Sequence, residues 1–315
     1  PVALENRCPH RNLPLSEANR LGDTLQCAYH GLEFKPDGIC RHVPGQKEVP
    51  DWARVRAYPV VERDRWVFVW MGEAAAADAA VVPDYHRRIA DPEWHFATGQ
   101  KLVNAGYRLV LDNLLDLSHL SYVHSSTTGN PEVAETAQII TETEDEFVRV
   151  TRWMAGIPPA PAFILYTGRQ DPIDRWQVSQ FIVPSYIDIN NGSATAGNGV
   201  AQEFRPTERG RWGFVVYHAM TPETDTTTHQ FWAVGGEKRL IDAEKRATFD
   251  EAMHGVIDED MVVYEAQQQS IDLDPVAIGR DVNPKGTLPI DEGLIAMRRI
   301  IRRLYGDEQK RRETA

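Results

Sequence analysis

The stretch that decides the organisation of this chain is Asn113-Leu-Leu-Asp116-Leu-Ser-His119-Leu-Ser-Tyr-Val-His124. It brings two imidazoles and a carboxylate together within one otherwise apolar segment. Neutral imidazole is the commonest metal ligand, and two histidines plus one carboxylate around open positions suit a non-haem Fe(II) that activates O2. A single helical histidine is more often a structural residue, so this interpretation needs a second metal-binding pattern elsewhere in the sequence.

The spacing of apolar residues predicts a helix from Tyr107 to about Ser121. Asn113, Asp116 and His119 follow one another three residues apart on a neighbouring face of that helix, so their side chains can touch. The second histidine lies roughly 140° further round an ideal helix than the first. Both rings can meet one metal only if the helix loosens, and we expect this over the two residues after Ser121.

A second metal-binding pattern lies near the start of the chain. Cys8-Pro-His10 is separated by a spacer from Cys27-Ala-Tyr-His30, so each half offers one thiolate and one imidazole. Zinc fingers usually separate like ligands into a cysteine pair and a histidine pair, and a structural zinc ribbon is the alternative. A [2Fe–2S] cluster matches better, because each loop can deliver one ligand to each iron. Imidazole ligands raise the cluster potential, which suits an electron relay.

Short segments with frequent turns surround these ligands, as is typical of a small antiparallel β domain. A strand is predicted at 66–70. Cys40 fits neither ligand pair and is predicted to be a buried or partly buried thiol. Three cysteines, an odd number in 315 residues, do not form a disulfide framework.

Length and charge limit the organisation and the partners of the protein. A chain of 315 residues is long enough for two domains. Its formal net charge of −12 disfavours nucleic acid and anionic membranes as partners, because neither is attracted to an acidic surface. The sequence has no run of about 18 apolar residues and no signal-like start, so we expect a cytoplasmic protein.

The two metal-binding patterns together resemble those of the Rieske non-haem iron aromatic-ring oxygenases. The pairs Cys8/His10 and Cys27/His30 are similar to the ligands of the Rieske cluster, and the segment that ends at His124 is similar to the mononuclear iron motif of that family. Four stretches favour the branch of the vanillate and dicamba O-demethylases: 107–113, 174–177, 221–224 and 260–269.

The resemblance implies an α+β fold with two domains. A small antiparallel β Rieske [2Fe–2S] domain is expected over 1–75, a linker over 76–92, and a helix-grip (START-like) catalytic domain with an antiparallel sheet and long helices over 93–315. Small residues without a pattern around 72–80 support the boundary. In the family several strands usually precede the first cluster cysteine, so we expect the Rieske sheet of this sequence to lack N-terminal strands.

The remaining elements follow from local patterns. Strands are predicted around 147–153, 176–189, 213–218 and 230–234. A long helix is predicted from about Lys245 to Ser270. A last amphipathic helix carries an apolar stripe that includes Leu294 and Met297, and its arginines at 298, 299, 302 and 303 are expected to lie outside that stripe.

One helical phase of the long helix contains an acidic residue. Its members are Phe249, Met253, Val256, Asp260, Val263 and Gln267. Asp260 therefore stands where an apolar residue is expected, and a buried carboxylate needs a cation or a metal. Asp258 and Glu259 are rival candidates, and the three acids together can also be an exposed acidic run. Spacing alone also allows Asp116 as the third iron ligand.

The resemblance implies a role for each of these residues. Cys8, His10, Cys27 and His30 would hold the [2Fe–2S] cluster, and His119, His124 and Asp260 the mononuclear Fe(II). The distal carboxylate of the family precedes a glutamate by five positions, as Asp260 precedes Glu265. Asn113 and Asp116 belong to the catalytic motif, and the matching aspartate bridges an iron-bound histidine to a Rieske histidine, usually of a neighbouring subunit in a trimer. The simpler alternative for Asp116 is an exposed helix carboxylate.

The resemblance also implies the reaction and its partners. A flavin or iron–sulfur reductase would feed electrons from NAD(P)H to the cluster, and O2 would be the co-substrate for oxidation of a small aromatic compound. O-demethylation of a methoxybenzoate such as vanillate is favoured. Ring cis-dihydroxylation of a related aromatic acid is the alternative, because the outcome depends on how the pocket holds the ring. A pure Rieske electron carrier is the third possibility, but it would have no use for an inward Asp260.

Two polar residues are candidate contacts to the substrate. Asn191 follows an alternating apolar stretch, and His218 precedes a turn-forming segment. Both positions fit strand ends or turns equally well.

Overall fold

The computed structural model describes residues 1–197, 212–273 and 287–314. The chain divides into two compact units, Pro1–Asp84 and Tyr85–Ala315. The division falls inside the stretch expected to be a linker. Every helix in the described ranges is too short or too polar to cross a membrane.

The first unit is built from short antiparallel strands. They are β1 (Ala3–Leu4), β2 (Asn19–Leu21), β3 (Thr24–Gln26), β4 (Glu33–Phe34), β5 (Cys40–His42), β6 (Ala57–Tyr58), β7 (Val60–Arg63) and β8 (Trp66–Val69). Strands β2 to β5 form one sheet in sequence order, and β1 pairs with β6 and β7 with β8. The core packs Phe34 and its apolar neighbours against all three thiols. Cys40 is 4% exposed, which confirms the prediction of a buried thiol.

A seven-stranded antiparallel sheet forms the second unit. Its strands are β9 (Trp94–Val103), β10 (Gln138–Glu144), β11 (Phe147–Ile157), β12 (Ile173–Ile182), β13 (Tyr186–Thr195), β14 (Trp212–Pro222) and β15 (Thr228–Glu237). The order across the sheet is β10-β11-β12-β13-β14-β15-β9. Five helices accompany it in the described ranges: α1 (Tyr107–Leu115), α2 (Glu132–Glu135), α3 (Pro161–Thr167), α4 (Arg246–Leu273) and α5 (Glu292–Thr314).

Single 3₁₀ turns connect these elements. They lie at Leu15–Glu17, Ala74–Ala76, Ala79–Val81, Arg87–Ala90, Leu117–Ser121 and Pro289–Asp291.

One face of the large sheet is covered by helices. Side chains alternate along a strand, so the residues at every second position share that face. Phe181 and Ile189 of this face pack with Leu114 of α1 and Tyr264 of α4 in one core cluster. Trp232 of β15 packs in a second cluster against the first half of α4. The segments that carry the predicted iron ligands therefore pack against this face of the sheet.

The predicted strand at 176–189 is wrong in one respect. The structure divides it into β12 and β13, which pair as an antiparallel hairpin from Ile173↔Thr195 to Ile182↔Tyr186. Pro184 lies between them, and because proline has no N–H it cannot continue a central ladder.

Two details of the predicted helices are also corrected. In α4 the buried residues after Met253 are Ile257, Asp260, Tyr264 and Gln268, so the buried phase shifts by one residue from Val256, Val263 and Gln267. In α5 Arg298 does not lie outside. It is 9% exposed, and its Nε donates to Asp112 Oδ1 at 3.0 Å. A cation can be buried there because α1 supplies a carboxylate partner.

Candidate functional site

His119, His124 and Asp260 lie together on the helix-covered side of the second unit. One ligand atom from each residue falls within 4.8 Å of the others. His124 Nε2 lies 3.0 Å and His119 Nε2 3.4 Å from the same oxygen, Asp260 Oδ1. His124 and Asp260 are buried, and His119 is partly buried. The three groups converge from two segments of the chain on one point.

A break in the first segment aims His119 at that point. The helix predicted to reach Ser121 ends at Leu115, and a 3₁₀ turn begins at Leu117. Asp116 between them has an extended backbone, φ −100° and ψ 98°, and its carboxylate accepts from Ser118 N at 2.9 Å. A carboxylate that caps a new turn competes with continuation of the helix. The helix therefore loosens at Asp116, before His119, and not after Ser121 as expected.

A tight loop then returns His124 to the same point. Gly129 N donates to His124 O at 2.8 Å. A Cβ at position 129 would lie 1.8 Å from Leu120 O, so only glycine fits this close approach of two backbone segments.

Each imidazole is held through its Nδ1 atom. His119 Nδ1 lies 2.6 Å from the backbone oxygen of Asp116, and His124 Nδ1 lies 2.5 Å from Glu259 Oε2. Both acceptors lack hydrogens, so they select the tautomer with the proton on Nδ1. In the neutral rings this tautomer leaves each Nε2 lone pair for a metal, which would take the place of the proton that a cationic ring shares with Asp260.

The electrostatics agree with a cation site. Burial by itself raises the pKa of Asp260, but the hydrogen bonds to His119 and His124 outweigh it and hold that pKa below its ordinary value. Burial likewise depresses the pKa of His124, and Asp260 and Glu259 more than compensate, so its pKa is raised. In both cases a neighbouring opposite charge overcomes desolvation.

The rival acids do not reach the same point. Asp258 is exposed and pairs with Lys101, its Oδ1 lying 2.7 Å from the Lys101 Nζ. Glu259 binds the far side of the His124 ring, and Thr127 Oγ1 donates to the same Glu259 oxygen at 3.2 Å. Two imidazole nitrogens and one carboxylate oxygen form the donor set that suits Fe(II) with open positions, so the residues present fit the metal.

The carboxylate of Asp116 is not bonded to His119. Its Oδ1 accepts from Arg152 Nη2 at 2.6 Å, and its Oδ2 accepts from Ser118 Oγ at 2.9 Å. Arg152 is 1% exposed, whereas the side chain of Asp116 is 18% exposed. The link between Asp116 and His119 in this chain is the backbone carbonyl. Asn113, in the last turn of α1, has a buried Oδ1 without a partner among the described residues.

The four predicted cluster ligands lie on two equivalent loops of the first unit. Cys8 N donates to Leu13 O, and Cys8 O accepts from Asn12 N. Cys27 repeats the pattern, since its N donates to Leu32 O and its O accepts from Gly31 N. Asn12 and Gly31 both have positive φ, 59° and 72°, a conformation that asparagine and glycine favour.

These loops place the thiols inside and the imidazoles outside. Cys8 and Cys27 are each 2% exposed, and burial raises the pKa of the Cys8 thiol, with the nearby Cys27 thiol adding to the effect. The rings of His10 and His30 are exposed, and their centroids lie 4.6 Å apart. Two adjacent thiols behind two adjacent imidazoles fit a [2Fe–2S] cluster with mixed ligands.

The predicted substrate contact His218 is fully inside the second unit. Burial lowers its pKa to about 4, although Asp260 acts in the opposite direction, so the ring is neutral at pH 7. Tyr264 donates to Gln230 Oε1 at 2.6 Å, and Gln230 Nε2 lies 3.3 Å from His218 Nδ1. The amide nitrogen therefore donates to Nδ1, and the remaining proton of His218 is on Nε2.

The other predicted contact, Asn191, lines a small cavity of about 50 Å³. Phe163, Trp212 and Phe214 form part of its apolar wall. Asn191 Oδ1 is buried without a partner among the described residues. Asn191 is thus an interior strand residue and not a turn residue.

Several residues around the site were not predicted from the sequence. Glu259 orients His124, Arg152 holds Asp116, and Gln230 with Tyr264 fixes the His218 tautomer. Arg152 and Gln230 could have been noticed in the sequence, because each is a polar residue within a mostly apolar strand. No local pattern shows which partner each one meets.

Comparison with known proteins identifies the family. Residues 103–306 match the model of the vanillate O-demethylase oxygenase C-terminal domain, and residues 1–59 match that of the Rieske [2Fe–2S] domain. The chain belongs to the Rieske oxygenase family of vanillate O-demethylase type. It is an oxygenase component with a [2Fe–2S] domain, and such components work with a reductase. The resemblance, the fold class and the enzyme class predicted from the sequence are confirmed.

The similarity extends over most of the chain. The vanillate O-demethylase oxygenase subunit of Pseudomonas sp. (strain ATCC 19151) is 36% identical over 98% of this chain and 92% of its own length. The toluene-4-sulfonate monooxygenase system iron-sulfur subunit TsaM1 of Comamonas testosteroni is 34% identical over 87% of this chain and 79% of its own length. The crystal structure of dicamba monooxygenase with non-heme iron and dicamba superposes with a TM-score of 0.77 at 26% identity, covering 99% of this chain and 91% of that one.

Proposed function

We propose that this oxygenase O-demethylates a small methoxy-substituted aromatic acid, with vanillate as the reference substrate. The observation that carries the proposal is the convergence of His119, His124 and Asp260 on one interior point. A vanillate O-demethylase subunit is 36% identical over nearly the whole chain, which supports this reaction over ring dihydroxylation.

The three convergent residues would hold a mononuclear Fe(II), which supplies the activation of O2. Glu259 and the Asp116 carbonyl keep both imidazoles in the tautomer that presents Nε2. His124 and Asp260 are buried, and limited access of water at such a point protects reactive species from side reactions. A pure electron carrier needs none of these arrangements.

The anionic end of the substrate would bind at His218. This ring is neutral, buried and protonated on Nε2, so it offers one hydrogen-bond donor to an acceptor without adding a full charge. Ile187 of the neighbouring strand β13 pairs with His218, and Asn191 lies further along the same face of β13, where its amide would contact another group of the same substrate. Together these groups orient the ring, and orientation decides which carbon is oxidised.

Electrons would enter through the exposed His10 and His30 edge of the [2Fe–2S] site. In our proposal a flavin or iron–sulfur reductase delivers them, and Asp116 bridges the cluster of an adjacent subunit in a homotrimer to His119 of this chain. The partial exposure of the Asp116 side chain, 18%, leaves it reachable while Arg152 holds it in place.

The proposal is tested by aerobic incubation of iron-replete protein with a Rieske-oxygenase reductase, NADH and a panel of methoxybenzoates. Formaldehyde formed together with the matching phenol supports O-demethylation. Cis-diol without formaldehyde would contradict it and assign ring dihydroxylation. Iron analysis distinguishes either oxygenase from an electron carrier. An oxygenase is expected to hold about three irons per chain, and a carrier about two.

A further inference from the structure

Gln177 is a buried amide to which no role has been given. It is 0% exposed, and neither its Nε2 nor its Oε1 has a hydrogen-bond partner among the described residues. Buried polar side chains are nearly always paired, because an unpaired amide loses its hydration without compensation. A fully buried glutamine with both ends free therefore indicates a ligand.

The position of Gln177 is set by its neighbours on the helix-covered face. Along β12, Ser179 is the next residue on that face, and its Oγ donates to Leu114 O at 2.7 Å. Across the ladder, Gln177 pairs with Arg152, which binds Asp116. Both neighbours thus touch the segment Leu114–Asp116, which leads directly into His119. Gln177 lies beneath the segment that delivers an iron ligand.

Gln177 is also next to a residue already expected to meet the substrate. It pairs with Asn191 on β13, so the two amides stand side by side on one face of the sheet. Asn191 Oδ1 is unpartnered in the described residues as well, and it lines the cavity next to Phe214. The free groups of this pair are two carbonyl oxygens and one amide nitrogen.

That inventory defines the chemistry of the ligand. A carboxylate accepts hydrogen bonds but donates none, so it would leave both amide oxygens unsatisfied. A phenolic hydroxyl donates one hydrogen bond and accepts another, and it can serve Gln177 at both ends or bridge Gln177 and Asn191.

We propose that Gln177, with Asn191, binds a ring hydroxyl of the substrate, so that the protein prefers hydroxylated methoxybenzoates over analogues without the hydroxyl. The inference rests on the proposed function and deepens it. His218 and the amide pair would bind different groups of one ring. His218 would donate to an accepting group of the substrate, and the amide pair would accept from a donating group.

The experiment compares vanillate with 3-methoxybenzoate, which lacks only the ring hydroxyl. For the wild type we expect kcat/KM to favour vanillate by about a hundredfold or more, because a site built to bond a hydroxyl rejects the analogue that lacks it. Gln177→Met has a similar shape without the amide and is expected to lower this ratio at least about tenfold. The control is Gln180→Met on the same strand but the opposite face, where Gln180 accepts from Arg149; its ratio should stay at the wild-type value.

Binding is measured separately from turnover. Calorimetric titration of both compounds into iron-replete protein, without reductase or O2, gives the ratio of Kd values, and the visible spectrum of the cluster reports that each variant is intact. If Gln177→Met does not fold, Asn191→Leu tests the same pair from the adjacent strand and should also lower the ratio.

Equal kcat/KM for both compounds, or an unchanged ratio in the folded variant, would overturn the inference while leaving O-demethylation standing. Absence of formaldehyde from every methoxybenzoate would instead reject the proposed function, and the Kd ratio would still decide the role of Gln177.

Discussion

Nδ1 of His124 lies 2.5 Å from Oε2 of Glu259, while Nε2 of the same ring lies 3.0 Å from Asp260 Oδ1. Two consecutive acidic residues of α4 therefore hold opposite edges of one imidazole. Glu259 fixes the tautomer, and Asp260 lies on the Nε2 side of the ring, which faces the proposed iron site. By sequence alone Glu259 is a rival ligand, whereas the geometry gives it a supporting position behind His124.

Loss of this support should weaken metal binding. Glu259→Gln keeps the shape but removes the charge that strengthens the hydrogen bond from Nδ1, and we expect Fe(II) affinity to fall about tenfold to a hundredfold. The measurement is a Co(II) or Fe(II) titration of the mononuclear site with the cluster intact. Asp258→Asn, on the exposed side of the same helix, is the matched control and should bind metal normally. Equal affinities for both variants would show that the tautomer is fixed in another way.

His119→Ala is expected to abolish turnover. The variant removes one of three convergent donor atoms from the second unit, and the cluster ligands belong to the first unit. The visible absorption of the cluster should therefore be unchanged. Formaldehyde release is measured against the wild type, and normal turnover would reject the proposed iron site.

Asp116→Asn is expected to retain iron and to slow electron delivery. The amide can still accept from Arg152, so the buried guanidinium keeps a partner, but the negative charge is lost. Iron content and the single-turnover rate of reduced protein are the measurements. Asp116→Ala, in contrast, leaves Arg152 unpaired and should lower the free energy of unfolding by about 3–5 kcal/mol. Loss of iron in the asparagine variant would argue that Asp116 is itself a ligand.

Cys27→Ser should remove the [2Fe–2S] cluster, because a buried thiolate ligand is replaced by a poor one. Cys40→Ser is the control. Cys40 is equally buried in the same core, but its Sγ lies 3.2 Å from His42 O and fits neither ligand pair. The visible spectrum should vanish in the first variant and persist in the second. A cluster that survives Cys27→Ser would contradict the ligand assignment.

His218 should make the fold sensitive to acid. Its folded pKa of about 4 lies below the ordinary value of 6.5, so the unfolded chain takes up the proton first as the pH falls. The contribution of the neutral ring to stability is therefore present at pH 7 and is lost from about pH 6.5 down to about pH 4. Urea unfolding of the second unit, followed at pH 7.5 and pH 5 for the wild type and His218→Gln, measures this. The difference in stability between the two proteins should shrink at the lower pH, and a constant difference would reject the neutral buried ring.

Local patterns were sufficient for much of the fold. Alternation and turn residues located β11, β14 and β15, whereas β9 and β10 were not predicted. The failure at 176–189 arose because apolar residues continue on both sides of Pro184. The end of α1 was misplaced because helical periodicity continues through Asp116. What ends the helix is a side-chain bond from Asp116 to Ser118 N, which the spacing of apolar residues does not report.

The sequence by itself determined which residues are the candidate metal ligands. Cysteine and histidine pairs at 8/10 and 27/30, and histidines at 119 and 124, have ligand types and spacings that little else explains. Such pairs are close in the chain, so their proximity in space follows from local geometry.

Only the tertiary structure decided how distant residues divide the remaining roles. Asp260 meets His124 across 136 residues, and a rotation of α4 by one residue would have presented Glu259 instead. Gln177 is identified as a candidate binding residue only because its buried amide has no partner among the described residues around it. Both outcomes depend on long-range packing of the sheet against α1 and α4, which fixes the direction of each side chain and which no local pattern in the sequence encodes.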